Sequence, residues 1–117
     1  MLEWSPCRCN NDFTAQLILT YHLKPGVSHE TYQDWVRTVD YPTMRGLTRI
    51  ASYTNYPVEK QAMGDAPLPF SYMELFDISD MPGFLAEDMG SSVVQKVMGE
   101  FMSFVDNPNF LLSDAVV

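Results

Sequence analysis

Residues 13–24 read Phe-Thr-Ala-Gln-Leu-Ile-Leu-Thr-Tyr-His-Leu-Lys, and their side chains alternate in character. The odd positions are apolar or aromatic from Phe13 to Leu23, whereas the even positions are mixed. Alternation with a period of two is typical of a β-strand that has one face in a core. Pro25 and Gly26 then end the strand. The stretch therefore predicts a sheet with one buried face.

The segment after this strand has the features of a helix. Ser28 is a suitable N-cap, and Glu30 in the first turn favours a helix N-terminus. Apolar side chains recur there at helical spacing and form one stripe, Tyr32, Trp35, Val36 and Val39. We expect the helix to be interrupted at Asp40-Tyr41-Pro42, because a residue before proline avoids helical dihedral angles.

The rest of the chain completes an α+β pattern. Residues 47–57 and 70–78 are predicted strands, and residues 110–117 form a short closing strand. The helical region before the closing strand begins after Asp80 and is broken or recapped at Gly90-Ser91-Ser92. The order β-α-β-β-α-β is that of the ferredoxin-like fold, in which two helices cover one face of a four-stranded antiparallel sheet.

The strand at residues 70–78 is apolar on both of its faces, so both faces have to be covered. The helices cover one face. We expect the other face to carry a set of apolar side chains, namely Ile18, Tyr72, Phe76 and either Ile50 or Tyr53. Such a surface is too apolar to be left in water. A second copy of the chain is the simplest cover, which predicts a homodimer with two sheets face to face.

The composition fits one globular domain, since the chain has 117 residues of which 46% are hydrophobic. We predict an irregular arm over residues 1–12 and a single domain over residues 13–117. No apolar run approaches the roughly 18 residues of a membrane-spanning helix. The first residues lack the pattern of a signal peptide. The chain is thus predicted to be cytoplasmic and to have no membrane partner.

Charge and cysteine content exclude further classes of function. Residues 61–117 carry nine acidic side chains and one basic side chain, Lys96, which argues against nucleic-acid binding. The only cysteines are Cys7 and Cys9, and the two histidines are not spaced to complete a zinc site with them. We interpret the cysteines as reduced thiols, and we expect no metal site and no cofactor.

Several stretches resemble a known family. These are Tyr-His-Leu-Lys-Pro-Gly-Val at residues 21–27 and Tyr-x-x-Trp-Val-Arg-Thr-Val-Asp-Tyr-Pro at residues 32–42. With the βαββαβ order, they resemble the dimeric α/β-barrel superfamily. The chain is most similar to the REDY-like proteins of prodiginine pigment pathways, a likeness that residues 72–75 and 100–110 strengthen. The resemblance covers about residues 15–113.

The resemblance implies a homodimer with a hydrophobic pocket between sheet and helices in each subunit. Relatives include cofactor-independent monooxygenases, polyketide cyclases and muconolactone isomerase. It therefore implies that the chain acts on an apolar aromatic or polyketide-like intermediate of natural-product biosynthesis, or carries one as a non-catalytic accessory dimer. The plant cyclase has a catalytic histidine after its third strand, but residues 84–94 contain none, so that mechanism does not transfer.

Four side chains are candidate catalytic groups: His22, Asp40, Tyr41 and Glu74. His22 is suited to proton transfer by its type, but its position on the even face also fits a role at the dimer interface. Glu74 lies in the middle of an apolar strand, on the face that we assign to the dimer. It is either paired, for example with His22 or Arg49, or a buried acid with a raised pKa.

Six further residues are candidates for ligand binding: Tyr21, Tyr32, Trp35, Arg45, Tyr53 and Met73. Tyr32 and Trp35 either belong to the core or form an aromatic pocket wall. Arg45, together with Asp40 and Tyr41, either lines the pocket mouth or forms a capping ion pair. The methionines suit an adaptable apolar cavity, although they also serve to fill irregular cores.

Overall fold

The computed structural model describes residues 15–116, so the predicted arm over residues 1–12, with both cysteines, lies outside the described range. The elements follow the predicted order. They are β1 (Ala15–Leu23), α1 (His29–Trp35), a π-helical turn (Val36–Asp40), α2 (Tyr41–Arg45), β2 (Ile50–Pro57), β3 (Tyr72–Ile78), α3 (Met81–Gly83), a second π-helical turn (Phe84–Asp88), α4 (Ser92–Phe104) and β4 (Val105–Ser113).

The four strands form one antiparallel sheet in the order β2-β3-β1-β4. The two central strands are β3 and β1, and the edges are β2 and β4. This arrangement confirms the predicted ferredoxin-like α+β fold. No helix in the described part of the chain is long and apolar enough to cross a membrane.

The strand register decides which side chains face the helices. Tyr72 pairs with Tyr21, Glu74 with Leu19, and Phe76 with Leu17. Directly paired residues of an antiparallel sheet lie on the same face, and all of these are buried. The expectation that Tyr72, Glu74 and Phe76 face a dimer partner was therefore wrong. Because β3 is apolar on both faces, its alternation alone does not show which set points inward.

The same correction applies to β2, where Ile50 and Tyr53 are buried in the core rather than placed on the outer face. Tyr53 pairs with Phe76, and its ring stacks on the Phe76 ring with centroids 4.0 Å apart. The outer face instead carries the apolar side chains Ile18, Met73, Leu75 and Leu111.

The predicted interruption at residues 40–42 does not occur. Ser28 caps α1 as expected, since its hydroxyl accepts a hydrogen bond from the Thr31 amide. Beyond Trp35 the chain winds through the π-helical turn, in which the Tyr41 amide donates to the Val36 carbonyl, and passes directly into α2. Pro42 then falls in the first turn of a helix, where its missing N–H is tolerated.

The caps of the second helical region match the prediction. The Asp80 carboxylate accepts from the Gly83 amide, and the Ser91 hydroxyl accepts from the Val94 amide at the start of α4. However, β4 begins at Val105, earlier than predicted. Its first residues pair with the end of β1 across a register shift, and Asn107 there has a φ of 52°. A local irregularity of this kind leaves no strong signal in the sequence.

Candidate functional site

A cavity of about 30 Å³ lies between the sheet and the helices. This volume is enough for roughly two water molecules. Two of its lining residues are ionisable, Asp40 and Glu74. The remaining lining residues are apolar: Leu17, Leu19, Met44, Phe76, Phe84, Met89, Val94, Val97, Met98, Phe101 and Phe110.

Glu74 is the centre of a buried hydrogen-bond network, with only 3% of its surface exposed. Its Oε2 atom accepts from the Tyr21 hydroxyl at 2.5 Å and from the Asn55 side-chain amide at 3.3 Å, and the Tyr32 hydroxyl oxygen lies 3.5 Å from it. The predicted partners do not contact it. A buried carboxyl that is surrounded by neutral donors has little to compensate a negative charge.

The Tyr21 hydroxyl connects this network. It donates a hydrogen bond to Glu74. It accepts hydrogen bonds from the Asn55 side-chain amide at 3.0 Å and from the Tyr32 hydroxyl at 2.5 Å. The Tyr21 ring stacks on Tyr72, with an interplanar angle of 8°. Packing of this kind restricts the ring, so the hydroxyl is held against the carboxyl.

Asp40 reaches the cavity from the helical side. The π-helical turn places it in the interior, where 5% of its surface is exposed and Oδ2 accepts a hydrogen bond from the Tyr53 hydroxyl. Single π-helical turns within α-helices are frequent at functional sites. The two carboxyls thus approach one cavity from opposite walls.

Burial shifts both carboxyls toward the neutral form. Burial and the Asp40 charge raise the pKa of Glu74 to about 8, although the surrounding tyrosine hydroxyls partly offset this effect. Burial also raises the pKa of Asp40 to about 6, against the opposing effects of Tyr53 and Arg45. The two pKa values thus lie on either side of neutral pH, and Glu74 is the carboxyl that holds its proton more tightly. Burial raises the pKa of Tyr21, Tyr32 and Tyr53, which keep their protons.

The predicted site residues thus separate into two groups, of which the first surrounds the cavity. Asp40 and Glu74 line it, and Tyr21, Tyr32 and Tyr53 contact their carboxyls.

The second group lies elsewhere. Both ring nitrogens of His22 are engaged away from the cavity, with the Ser71 hydroxyl at 2.8 Å and the Pro69 carbonyl at 3.1 Å. Met73 pairs with Thr20 on the outer face. The Trp35 ring nitrogen donates to Glu100 of α4 at 2.7 Å, so this side chain joins two helices.

Tyr41 and Arg45 form hydrogen bonds with the edge strand β2 and do not line the cavity. The Arg45 guanidinium lies 3.6 Å from the centre of the Tyr41 ring and donates to the Tyr53 carbonyl at 2.7 and 3.0 Å. The Tyr41 hydroxyl accepts a hydrogen bond from the backbone amide of Asn55 at 2.9 Å. The predicted mouth of Asp40, Tyr41 and Arg45 is therefore not formed, because Asp40 alone points inward.

Asn55 is a site residue that the sequence analysis missed. It pairs with Glu74 across β2 and β3, so only the register of these strands reveals its role. Arg49, named as a possible partner of Glu74, instead pairs with Asp80 at 3.1 Å, Glu87 at 3.1 Å and Asp88 at 2.9 Å. Within residues 15–116, no three His, Cys, Asp or Glu side chains are grouped to hold a metal ion.

The topology and the buried cavity place the chain in the ferredoxin-like class of α+β proteins. A family model described as REDY-like protein HapK matches residues 15–116. The chain belongs to this HapK family, which confirms the resemblance to REDY-like proteins.

Solved structures show the same fold. HapK from Hahella chejuensis is 22% identical with a TM-score of 0.69, over 86% of this chain and 92% of that one. An EthD family protein from Bacillus halodurans is 14% identical with a TM-score of 0.69, over 89% and 100%. A DABB family protein with a ferredoxin-like fold from Mesorhizobium loti is 9% identical with a TM-score of 0.66, over 89% and 98%. No curated protein matches the chain.

Proposed function

We propose that this protein is a cytoplasmic homodimer that binds an apolar aromatic or polyketide-like intermediate of natural-product biosynthesis. The ligand occupies the cavity between sheet and helices, where the protein moves a proton on it without a cofactor, as a cyclase or an isomerase does. One observation carries the proposal: Asp40 and Glu74 share an otherwise apolar cavity. Burial raises the pKa of both carboxyls, that of Asp40 to about 6 and that of Glu74 to about 8.

Such a pair suits general acid–base chemistry. Asp40 takes a proton from an acidic C–H or N–H group of the ligand, and Glu74 gives one to a carbonyl oxygen. Each positioned group of this kind typically contributes about 10²–10⁴-fold to a rate. Two titratable groups whose pKa values lie on either side of the working pH supply the acid and the base.

An aromatic ligand requires the cavity to widen from its volume of about 30 Å³. Met44, Met89 and Met98 line it, and flexible methionine side chains repack more readily than branched ones. Phe110 also lines it while 42% exposed, so this side chain has room to move outward. These residues support a pocket that expands around its ligand.

A carrier or accessory function is the second candidate. The Tyr21 hydroxyl already has partners within the protein for its donor and for both acceptor positions. A network satisfied in this way stabilises the fold without taking part in a reaction. In that case the same cavity holds a pathway intermediate and releases it unchanged.

Native mass spectrometry tests the proposal first. We expect the purified protein to run as a dimer and to release a small molecule on gentle unfolding. The released compound is then incubated with the wild type, Asp40→Asn, Glu74→Gln and the exposed control Asp34→Asn. Loss of turnover with retained affinity in the first two variants, but not in the control, supports an enzyme.

The other outcomes are equally informative. Binding without conversion by the wild type supports the carrier. A protein that holds no small molecule and binds no aromatic or polyketide-like compound would contradict both candidates.

A further inference from the structure

The charges around the cavity restrict the chemistry of its ligand. Both ionisable lining residues are acids, and no Lys, Arg or His of the described residues lines the cavity. Among residues 15–116, no Lys, Arg or His lies within ion-pair distance of Asp40 or Glu74. An anionic ligand would therefore meet two acids and no compensating base.

The basic side chains of neighbouring elements are engaged elsewhere. Arg45 is exposed and donates to the Tyr53 carbonyl, although its charge still lowers the pKa of Asp40. His29 contacts the Tyr72 hydroxyl at 2.7 Å. Arg49 pairs with three carboxylates near α3. The Asp40 charge is consequently buried without a salt bridge.

The Asp40 carboxyl also has unused acceptor capacity. The hydrogen bond from the Tyr53 hydroxyl ends on its Oδ2 atom. Within residues 15–116, no hydrogen bond ends on its Oδ1 atom. A buried acceptor without a donor is costly, so a ligand that brings an N–H donor is complementary to this oxygen.

We propose that the cavity takes a ligand whose apolar body ends in a protonated nitrogen, which Asp40 holds, and that it excludes carboxylates and phosphates. This inference rests on the proposed function and names the class of its ligand. The three adjoining tyrosines add to the match, because electron-rich aromatic rings favour a nearby cation.

Three probes of one shape test the inference: benzylamine, benzyl alcohol and benzoate. Their affinities are measured by NMR titration at pH 7.5 in the wild type and in Met98→Ala, which widens the cavity. We expect benzylamine to bind at least tenfold more tightly than benzoate, with benzyl alcohol between them.

The pH dependence separates a charge interaction from simple burial. The groups that face Asp40 and Glu74 are Tyr21 of β1, Tyr32 of α1, Arg45 of α2 and Tyr53 of β2. Burial raises the pKa of these tyrosines, so ionisation of Asp40 dominates the interval between pH 5 and 7. We expect benzylamine affinity to rise severalfold across it, while benzyl alcohol affinity stays constant.

Isosteric variants complete the test. Asp40→Asn should reduce the preference for benzylamine over benzyl alcohol to near parity, and the exposed control Asp34→Asn should leave it unchanged. Retained binding of benzyl alcohol shows that the variant pocket is intact.

If benzyl alcohol or benzoate binds as tightly as benzylamine, the charge inference is wrong while the apolar pocket stands. If no probe binds either protein, the inference and the proposed pocket both fail.

Discussion

Burial raises the pKa of Glu74 to about 8, and its surroundings do little to oppose this effect. Three phenol hydroxyls and an amide lie near its carboxyl, yet no cation of the described residues does. Hydrogen bonds from neutral donors stabilise a carboxylate only in part, and complete burial opposes its charge more strongly. The same surroundings that make Glu74 a proton donor therefore link the stability of the fold to pH.

The sign of this link follows from the pKa values. The pKa of Glu74 rises from 4.5 in the unfolded chain to about 8 in the folded one. The folded state thus binds the proton more tightly, and its contribution is complete below pH 4.5 and is lost as the pH rises through about 8. We expect the free energy of unfolding to fall across this window, by at most about 1.4 kcal/mol per pH unit for one group.

Urea titrations at pH 5, 6, 7 and 8 measure this effect. Glu74→Gln, which cannot ionise, should show a shallower decline than the wild type, and the control Asp34→Asn should follow the wild type. If the free energy of unfolding of Glu74→Gln and of the wild type changes with pH in parallel, the prediction that Glu74 is protonated in the folded state is wrong.

The sequence identified the chemistry of this residue better than its position. A carboxylate in the middle of an apolar strand predicts burial, together with either a paired partner or a raised pKa. Glu74 is buried and has a raised pKa, and it contacts neither His22 nor Arg49. The face was wrong because β3 is apolar on both sides, so the pairing of Tyr72 with Tyr21 had to be known first. Asn55 and the inward direction of Asp40 likewise depend on register and on a π-helical turn.

At the scale of elements, the segment from Asp80 to Ser91 closes one side of the cavity. Phe84 and Met89 of this segment line the cavity. Arg49, which directly precedes β2, forms three ion pairs with carboxylates of the segment. Gly83 permits this contact, since a Cβ atom there would lie 2.3 Å from the Asp80 carboxylate. One arginine therefore holds a wall of the site in place.

Arg49→Gln tests this role. Ion pairs of this kind contribute little to stability in solvent, so the free energy of unfolding should change little. Hydrogen exchange of the amides at residues 84–91 should nevertheless quicken severalfold. Arg37→Gln is the matched control, because Arg37 has one exposed pair with Asp34. Equal exchange in both variants would show that Arg49 does not anchor the segment.

The edge strand β4 contributes the most exposed lining residue of the cavity. Phe110 lines the cavity although 42% of its surface is exposed, and it packs against Phe101 with ring centroids 6.4 Å apart. The other lining residues are buried or half-buried. Phe110 is thus the lining residue that contacts solvent most.

Phe110→Ala should speed the entry of an apolar compound. We expect the neutral fluorophore N-phenyl-1-naphthylamine to bind this variant severalfold faster than the wild type in stopped-flow fluorescence. Leu111→Ala is the control, since Leu111 follows on the same strand but pairs with Ile18 on the outer face. If the two variants bind at the same rate, entry does not pass Phe110.

At the scale of the whole molecule, the order of elements and the fold class were predictable from the sequence, whereas the residues on the outer surface were not. The alternation of β1 and the order of elements suffice for a ferredoxin-like sheet, because few topologies accommodate that order. The cover on the outer face stays a prediction. Of the residues predicted for the outer face, Ile18 alone was placed there correctly. The other apolar side chains on that face are Met73, Leu75 and Leu111 instead of the predicted aromatic residues.

These four side chains form a continuous apolar band across three strands. Ile18 pairs with Leu75 on one side and with Leu111 on the other, and Met73 is two residues before Leu75. The proposed homodimer buries this band against its copy. A charge placed on the band should then prevent association, since an isolated charge inside an interface is costly to bury.

Leu111→Asp should therefore shift the protein from dimer to monomer in native mass spectrometry and light scattering. Leu85→Asp is the matched control, because Leu85 is 46% exposed and Leu111 is 50% exposed, but Leu85 lies in the second π-helical turn and not on the sheet. The control should remain dimeric. Dimers in both variants would remove the outer face as the interface, whereas a monomeric wild type would remove the dimer itself. In either case the cavity and its two carboxyls would remain, because the described residues of a single chain already form them.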